Sequence, residues 1–116
     1  MSNPAIKDFD VQRRATFPID ITFKANGSAV DITGYTFAAS VFSKDSSQSY
    51  GDFSVTYTNR SQGKVLFKLT PTQTAALTPN ELQYDIKYKQ HDNDEFYLLE
   101  GTLYISEGYT VISWLK

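Results

Sequence analysis

The sequence predicts an all-β fold, an antiparallel two-sheet sandwich with one short helical turn near residues 72–77. Three observations support this prediction. Aromatic residues make up 15% of the chain, with 8 Tyr and 8 Phe, and these side chains favour the half-buried surface of a strand. Apolar and polar residues alternate with a period of two through most of the chain. Turn-forming residues separate these stretches at short intervals, which is typical of a sandwich, with a small barrel as the alternative.

The first half of the chain supplies two long strands. Residues 17–23 alternate, with Phe and Ile at the odd positions, and the turn-forming pair Asn26-Gly27 follows them. A second strand is predicted at residues 35–43. Residues 44–52 are polar and rich in serine, so this stretch is predicted to be a loop.

The second half supplies the remaining strands and the helical turn. Residues 53–57 and 65–69 alternate on either side of a turn at 59–63, which indicates a hairpin. Pro71, preceded by a threonine, predicts one N-capped helical turn that crosses from one sheet to the other. The last two strands are expected at residues 84–88 and 97–105.

The chain has 116 residues, the size of one domain. The sandwich is assigned to residues 15–107, and residues 1–14 are an N-terminal arm or edge strand. Residues 108–116 form an apolar C-terminal segment, either an edge strand of the same sheet or an arm that docks on a neighbouring subunit. The candidate protein-contact residues of the two segments are Tyr109, Val111, Ile112, Trp114, Leu115, Ile6, Phe9 and Val11.

Charge and composition argue against several classes of partner. The chain has 11 Lys and Arg against 13 Asp and Glu, a net charge of -2, so neither nucleic acid nor a membrane is expected as a partner. The pair Arg13-Arg14 is interpreted as a solvated strand edge. The chain contains no cysteine, which excludes disulfides and thiol catalysis. No secretory leader or membrane span is recognised in the sequence.

Residues that could support catalysis or metal binding are few. His91 lies in a polar turn, where a solvated turn residue is a better interpretation than a member of a catalytic triad. Residues 92–95 lack the glycine that a calcium loop requires, and are interpreted as a hairpin tip. Glu100 has no recognisable acidic partner and is expected at a surface or interface. We therefore predict no enzyme activity and no catalytic, metal or cofactor residues.

Exposed tyrosines suggest a second kind of binding. Aromatic side chains can stack on sugars, and Tyr50 and Tyr104 are the candidates for exposure. Tyr84, Tyr88 and Tyr97 fall at core-facing spacing and are predicted to pack inside. A carbohydrate-binding module that contacts glycans of a host surface is thus an alternative function.

Five short blocks stand in a distinctive order: DITGYT at 31–36, GKVLFKLT at 63–70, TQTAAL at 72–77, YDI at 84–86 and LLEGTL at 98–103. In that order they resemble the small immunoglobulin-like β-sandwich module of tailed-bacteriophage virion proteins, similar to the N-terminal domain of baseplate upper proteins. The resemblance spans residues 15–106 and implies an immunoglobulin-like sandwich. Gly101, within the last block, is placed where a bulge or a close backbone approach is expected.

The resemblance implies a non-enzymatic structural subunit of a bacteriophage virion, made in the host cytoplasm and incorporated into the particle. A tail, baseplate or neck assembly protein is expected, with capsid decoration as the alternative. Its expected partners are other virion structural proteins and further copies of itself in a homo-oligomer or ring. The larger baseplate proteins continue into fibre or receptor-carrying regions, whereas this sequence stops after Lys116, so a stand-alone subunit is expected.

Overall fold

The computed structural model describes residues 5–107. Within them the chain forms eleven strands, one short helix and one 3₁₀ turn. The prediction of an all-β fold is confirmed. The elements, in chain order, are β1 (Ala5–Ile6), β2 (Phe9–Gln12), β3 (Phe17–Thr22), β4 (Lys24–Ala25), β5 (Ser28–Ala29), β6 (Thr36–Phe42), β7 (Ser49–Asp52), β8 (Ser54–Asn59), the 3₁₀ turn (Arg60–Gln62), β9 (Lys64–Leu69), α1 (Pro71–Ala75), β10 (Glu81–Lys89) and β11 (Glu95–Ser106).

Two main sheets enclose the core. The large sheet has the order β1-β11-β10-β6-β7, with β2 paired to β11 on the same side as β1. The small sheet has the order β3-β9-β8, and β4 and β5 form a separate hairpin. All pairings are antiparallel except those of β1 and β2 with β11, which are parallel. This arrangement is consistent with the predicted sandwich.

Alternating side chains of both sheets form the core. Phe37 on β6 and Phe67 on β9 pack edge to face, with ring centroids 6.2 Å apart, and thereby join the two sheets. Around them lie side chains that are completely shielded from solvent: Ile32, Val41, Val65, Leu82, Ile86 and Leu103. Burial of a Leu, Ile, Val or Phe side chain contributes about 1.5–3 kcal/mol, so this layer is a major source of the stability of the fold.

Local sequence explains the predicted turn and helix. Asn26 and Gly27 both have positive φ, 53° and 81°, as a two-residue type I′ hairpin turn requires. At α1, Thr70 Oγ1 accepts a hydrogen bond from the Gln73 N–H at 3.2 Å, and Gln73 Oε1 accepts one from the Thr70 N–H at 2.8 Å. This reciprocal capping box fixes the start of a helix too short to persist alone. The predicted crossing is confirmed, since α1 connects β9 in the small sheet to β10 in the large one.

The structure corrects the prediction for residues 44–52. Ser49–Asp52 is not loop but β7, an edge strand paired with β6. Its polar composition hid it, because an edge strand with one neighbour needs few apolar side chains.

The prediction that Tyr97 faces the core is also wrong, because the side chain is 49% exposed. Ile86 pairs with Leu99 but Lys87 pairs with Tyr97, which leaves Leu98 as an extra residue in β11. This bulge reverses the alternation, so Phe96 turns inward and packs on Tyr88 at 5.6 Å between ring centroids. Tyr84 and Tyr88 do pack in or against the core, as predicted.

Of the two alternatives for the N-terminal segment, residues 5–12 adopt the edge strand. Both β1 and β2 pair with β11 of the same chain. Val11 is 1% exposed and belongs to the core of its own chain. It was therefore wrong as a protein-contact candidate, because a side chain buried within the subunit cannot reach a partner.

Arg13 is not the solvated residue that the sequence suggested. Its Nε donates to the carbonyl of Leu77 at 2.7 Å and its Nη2 to that of Thr78 at 2.6 Å. Its Nη1 pairs with Glu107 Oε1, while Arg14 Nη1 lies 2.8 Å from Glu107 Oε2. The two arginines thus hold the end of β11 against the segment that follows α1.

Candidate interaction surface

Among residues 5–107, the large apolar side chains that are exposed to solvent lie on the outer face of the large sheet. Ile6 is 76% exposed, Tyr97 49% and Tyr104 43%. Ile6 is in register with Glu100, and Tyr104 shares the face of Glu100 because the two are four residues apart on one strand. The bulge places Tyr97 opposite Lys87 on the same face. We call this surface the outer face.

A row of polar side chains crosses the outer face at its middle. Glu100 on β11 is in register with Asp85 on β10, which is in register with Ser40 on β6, and Ser40 with Asp52 on β7. Ser40 Oγ donates a hydrogen bond to Asp52 Oδ1 at 2.7 Å. These four residues form the acidic row, and Ile6 stands at its end.

Asp85 is the member of the acidic row whose negative charge is unfavourable. Burial, and then the charge of Glu100, raise the pKa of its carboxyl, while Lys87 acts in the opposite direction. Directly opposed like charges on neighbouring strands repel. Asp85 is half-buried, and since no buried side-chain oxygen or nitrogen of residues 5–107 lacks a hydrogen-bond partner, its carboxylate remains in contact with solvent. A cationic group on a partner would offset the repulsion between Asp85 and Glu100.

A shallow groove of about 250 Å³ runs beside the acidic row. Ile6 and Phe42 provide its apolar walls, and Asp85 and Glu100 its acidic ones. Gln83 Nε2 donates to the Ser43 carbonyl at 2.9 Å and to Ser46 Oγ at 2.6 Å, which holds the β6–β7 loop at the rim. The groove therefore has a defined shape with a mixed apolar and acidic lining.

The other end of the outer face carries a charged pair. Lys87 Nζ lies 2.7 Å from Glu95 Oε1 and 5.3 Å from the centre of the Tyr97 ring. The hydrogen bond to Glu95 raises the pKa of Lys87, and the same contact lowers the pKa of Glu95. Lys87 thus restrains an exposed aromatic ring on the face.

The remaining contact candidates of the sequence lie in different places. Phe9 is half-buried and packs on Phe17 and Tyr84, with ring centroids 5.5 and 5.6 Å away, so it contributes mainly to the core. The Ile6 side chain is exposed and can contact a partner. The candidates Tyr109, Val111, Ile112, Trp114 and Leu115 lie outside the described residues.

The structure does not bring the two glycan-contact candidates together. Tyr104 is exposed on β11, but Tyr50 on β7 is half-buried against the core. The strands β10 and β6 separate them in the sheet. They cannot form one stacking platform for a sugar.

The titratable residues that the sequence singled out, His91 and Glu100, both lie at the surface. His91 is exposed and lies alongside the Tyr35 ring at 6.1 Å between centroids. Glu100 is on the surface, as predicted. No group of three or more His, Cys, Asp or Glu in residues 5–107 is arranged to hold a metal ion, so the acidic row is not a candidate metal centre.

None of the helices described has the length and hydropathy of a membrane span.

Sequence reasoning missed Asp85, Asp52 and Tyr97 as surface residues. The alternation around Asp85, between buried Tyr84 and Ile86, could have shown that it points outward. Asp52 was concealed by the loop assignment, and Tyr97 by the bulge, for which the sequence has no local marker.

No family model matches this sequence, and no curated protein matches it significantly.

Proposed function

We propose that this chain is a non-enzymatic structural subunit of a bacteriophage virion, in the tail, baseplate or neck, and that it binds other virion proteins through the outer face. The observation that carries the proposal is the concentration of Ile6, Tyr97 and Tyr104 on one sheet face. Aromatic side chains are enriched in protein contacts, and the three large exposed apolar side chains of residues 5–107 all share this face.

The strand order supports the resemblance to the immunoglobulin-like phage module. In immunoglobulin-type sandwiches one sheet is built around strands C, F and G, with C′ added in variable-type domains, and the other contains B, E and D. From this order we assign β11, β10, β6 and β7 to G, F, C and C′, and β3, β9 and β8 to B, E and D, as part of the proposal. The outer face is then the exposed surface of the G-F-C-C′ sheet.

Charge refines the kind of partner. The acidic row presents three carboxylates beside the exposed Ile6, and burial and the charge of Glu100 raise the pKa of Asp85. A partner surface with Arg or Lys between apolar residues complements this pattern. Desolvated charge pairs of this kind fix orientation, while the apolar residues supply most of the affinity.

The test is the presence and position of the chain in purified particles of the phage that encodes it. Quantitative mass spectrometry should find it in a fixed ratio to the other structural proteins, and gold-labelled antibodies should mark the tail or its ends. Labelling of the head would replace this assignment with capsid decoration. Absence from particles, with the chain abundant in infected cells, would overturn the proposal.

A matched pair of phage variants tests the role of the outer face. Ile6→Ser combined with Tyr104→Ser removes two exposed apolar groups and should yield particles that lack the protein. Leu66→Ser is the control, since Leu66 lies on the opposite sheet between inward-facing Val65 and Phe67. Normal incorporation of the double variant would exclude the outer face as the contact.

A further inference from the structure

A second apolar surface lies away from the outer face, at one edge of the sandwich. It is a groove of about 330 Å³ between β3 of the small sheet and the start of β11 in the large sheet. Its apolar lining comes from Ala5, Ile21, Phe23, Leu98 and Leu99, with Thr22 and Lys24 at the rim. We call it the edge groove. Ile21, Phe23, Leu98 and Leu99 pack against the core from one side only and remain partly exposed.

The edge groove adjoins an open strand edge. Among residues 5–107, β3 pairs with β9 alone. The Phe23 N–H donates to the Gly63 carbonyl at 2.7 Å, on the β9 side. Because alternate residues of an antiparallel strand direct their N–H and C=O to the same side, Asp20 and Thr22 direct theirs to the open side. The groove thus offers apolar pockets and unpaired backbone groups together, the combination that binds an added strand.

The segment best suited to this groove is residues 109–115. It contains Tyr109, Val111, Ile112, Trp114 and Leu115, side chains that favour strands and bury large apolar areas. The segment contains no acidic or basic residue, so it can enter an apolar groove without desolvating a charge.

The middle of the segment falls short of the groove on its own chain, and only its last residue, Leu115, spans the distance. Glu107 is held by Arg13 and Arg14 at the end of β11, whereas Leu99 lies near its beginning. These two positions are roughly 26 Å apart at the usual rise of a strand. Ile112 follows Glu107 by five residues and reaches at most about 17 Å from it. A segment from a neighbouring molecule has no such restriction.

We infer that residues 109–115 of one copy bind the edge groove of a second copy by adding a strand beside β3. This inference rests on the proposed function and names one partner of the assembly as the chain itself. Donor segment and acceptor groove are different parts of the chain, so the contact is either exchanged reciprocally within a two-fold dimer or continued head-to-tail through further copies. Head-to-tail contacts of this kind produce rings when the rotation closes and filaments when it does not.

The full-length protein provides the first test. Trp114 is the sole tryptophan, so its fluorescence reports on the segment alone. Light scattering should give a multiple of the 13.1 kDa chain mass that falls to the monomer on dilution. The Trp114 emission should shift to the red over the same concentration range, as the ring moves from the groove into water.

Complementary variants test the direction of the contact. Leu98→Asp places a charge in the acceptor groove, and Ile112→Asp places one in the donor segment. Each variant alone should be monomeric, and an equimolar mixture should form a dimer of twice 13.1 kDa, because one intact donor and one intact groove remain. Thr56→Asp, which places the same charge on the exposed face of β8 at the far edge of the small sheet, is the control and should self-assemble as the native chain does.

Circular dichroism melting shows whether each variant is folded. Should Leu98→Asp not fold, Thr22→Pro replaces it, because this change removes one N–H from the open edge and Pro is tolerated on edge strands. A monomer at every concentration, or a mixture that stays monomeric, would overturn the inference, as would full assembly after deletion of residues 109–116. The proposed virion role would survive those results if the chain is still found in particles, so the two failures are distinguishable.

Discussion

Gly101 lies so close to the carbonyl of Lys7 that a Cβ built at Gly101 would come within 2.0 Å of the Lys7 oxygen. At this point the chain passes from β1 to β2 while both remain beside β11. The Lys7 N–H donates to the Glu100 carbonyl at 2.9 Å, and the Thr102 N–H donates to Asp8 Oδ1 at 2.9 Å. The Tyr84 hydroxyl donates to the Lys7 carbonyl at 2.6 Å. The N-terminal edge of the large sheet is therefore fixed around one glycine.

Gly101→Ala should displace the N-terminal edge. The added methyl group collides with backbone rather than with a flexible side chain, and overpacking of this kind costs about 1–3 kcal/mol. Urea denaturation should show that loss in the free energy of unfolding. Thr102→Ala on the same strand is the control, since it retains the N–H bonded to Asp8, and should change stability by less than about 0.5 kcal/mol. Equal stability of the two variants would show that the N-terminal edge shifts away from the added methyl group at little cost in free energy.

Arg13→Lys should destabilise the fold although the charge is kept. The guanidinium bonds the carbonyls of Leu77 and Thr78 and pairs with Glu107 at once. An ammonium group cannot reproduce this fork, and each of these hydrogen bonds, one part-buried and one exposed, contributes about 0.5–1.5 kcal/mol. Thermal and urea denaturation measure the loss. Arg14→Lys, which keeps a cation near Glu107, is the comparison, and an equally large effect there would contradict a special role for Arg13.

Asp85→Asn should stabilise the protein at neutral pH and have no effect at low pH. The pKa of Asp85 is raised above 3.8 in the folded state, so the native state binds the proton more tightly, and stability falls as pH rises through that interval. Replacement by Asn removes this loss. The melting temperature of the variant should exceed that of the native chain at pH 7, and the two should coincide at pH 3.

Glu107→Gln is a control in which the melting temperature should change in the opposite direction at neutral pH. Its arginine partners lower the pKa of Glu107 below 4.5, so its contribution is present above that pH and is lost as pH falls. This variant should melt below the native chain at pH 7 and approach it in acid. A gain for Asp85→Asn that persisted at pH 3 would show that repulsion and burial of the charge are not its cause.

Thr74→Val should weaken the attachment of α1. Thr74 is completely buried, its hydroxyl donates to the Ala15 carbonyl at 2.8 Å, and it accepts from the Ala15 N–H at 3.2 Å. Valine has the same shape but leaves both backbone groups unpaired, a cost of about 1–3 kcal/mol. Thr72→Val on the exposed side of α1 is the matched control. Urea denaturation should show a lower free energy of unfolding for Thr74→Val than for Thr72→Val.

Much of the local structure could be predicted from the sequence because its causes are local. The alternation at residues 17–23 identified β3 and its inward face, the pair Asn26-Gly27 identified a turn, and the threonine before Pro71 identified the capped helix. Gly101 was marked for a close backbone approach, which Lys7 makes. Of the candidate surface, only Ile6, Glu100 and Tyr104 were correctly expected to be exposed.

The sequence by itself determined the main strands other than β7, most of their inward faces and the principal turns, since period-two alternation and turn chemistry act over a few neighbours. Only the tertiary structure decided that β1 and β2 lie parallel to β11, that Leu98 forms a bulge and turns Tyr97 outward, and that Arg13 reaches the carbonyls beyond α1. It also aligned Glu100 with Asp85 and Ser40 across three strands. These features depend on pairing between residues far apart in the chain, where register is selected by the packing of the whole core and not by any one segment.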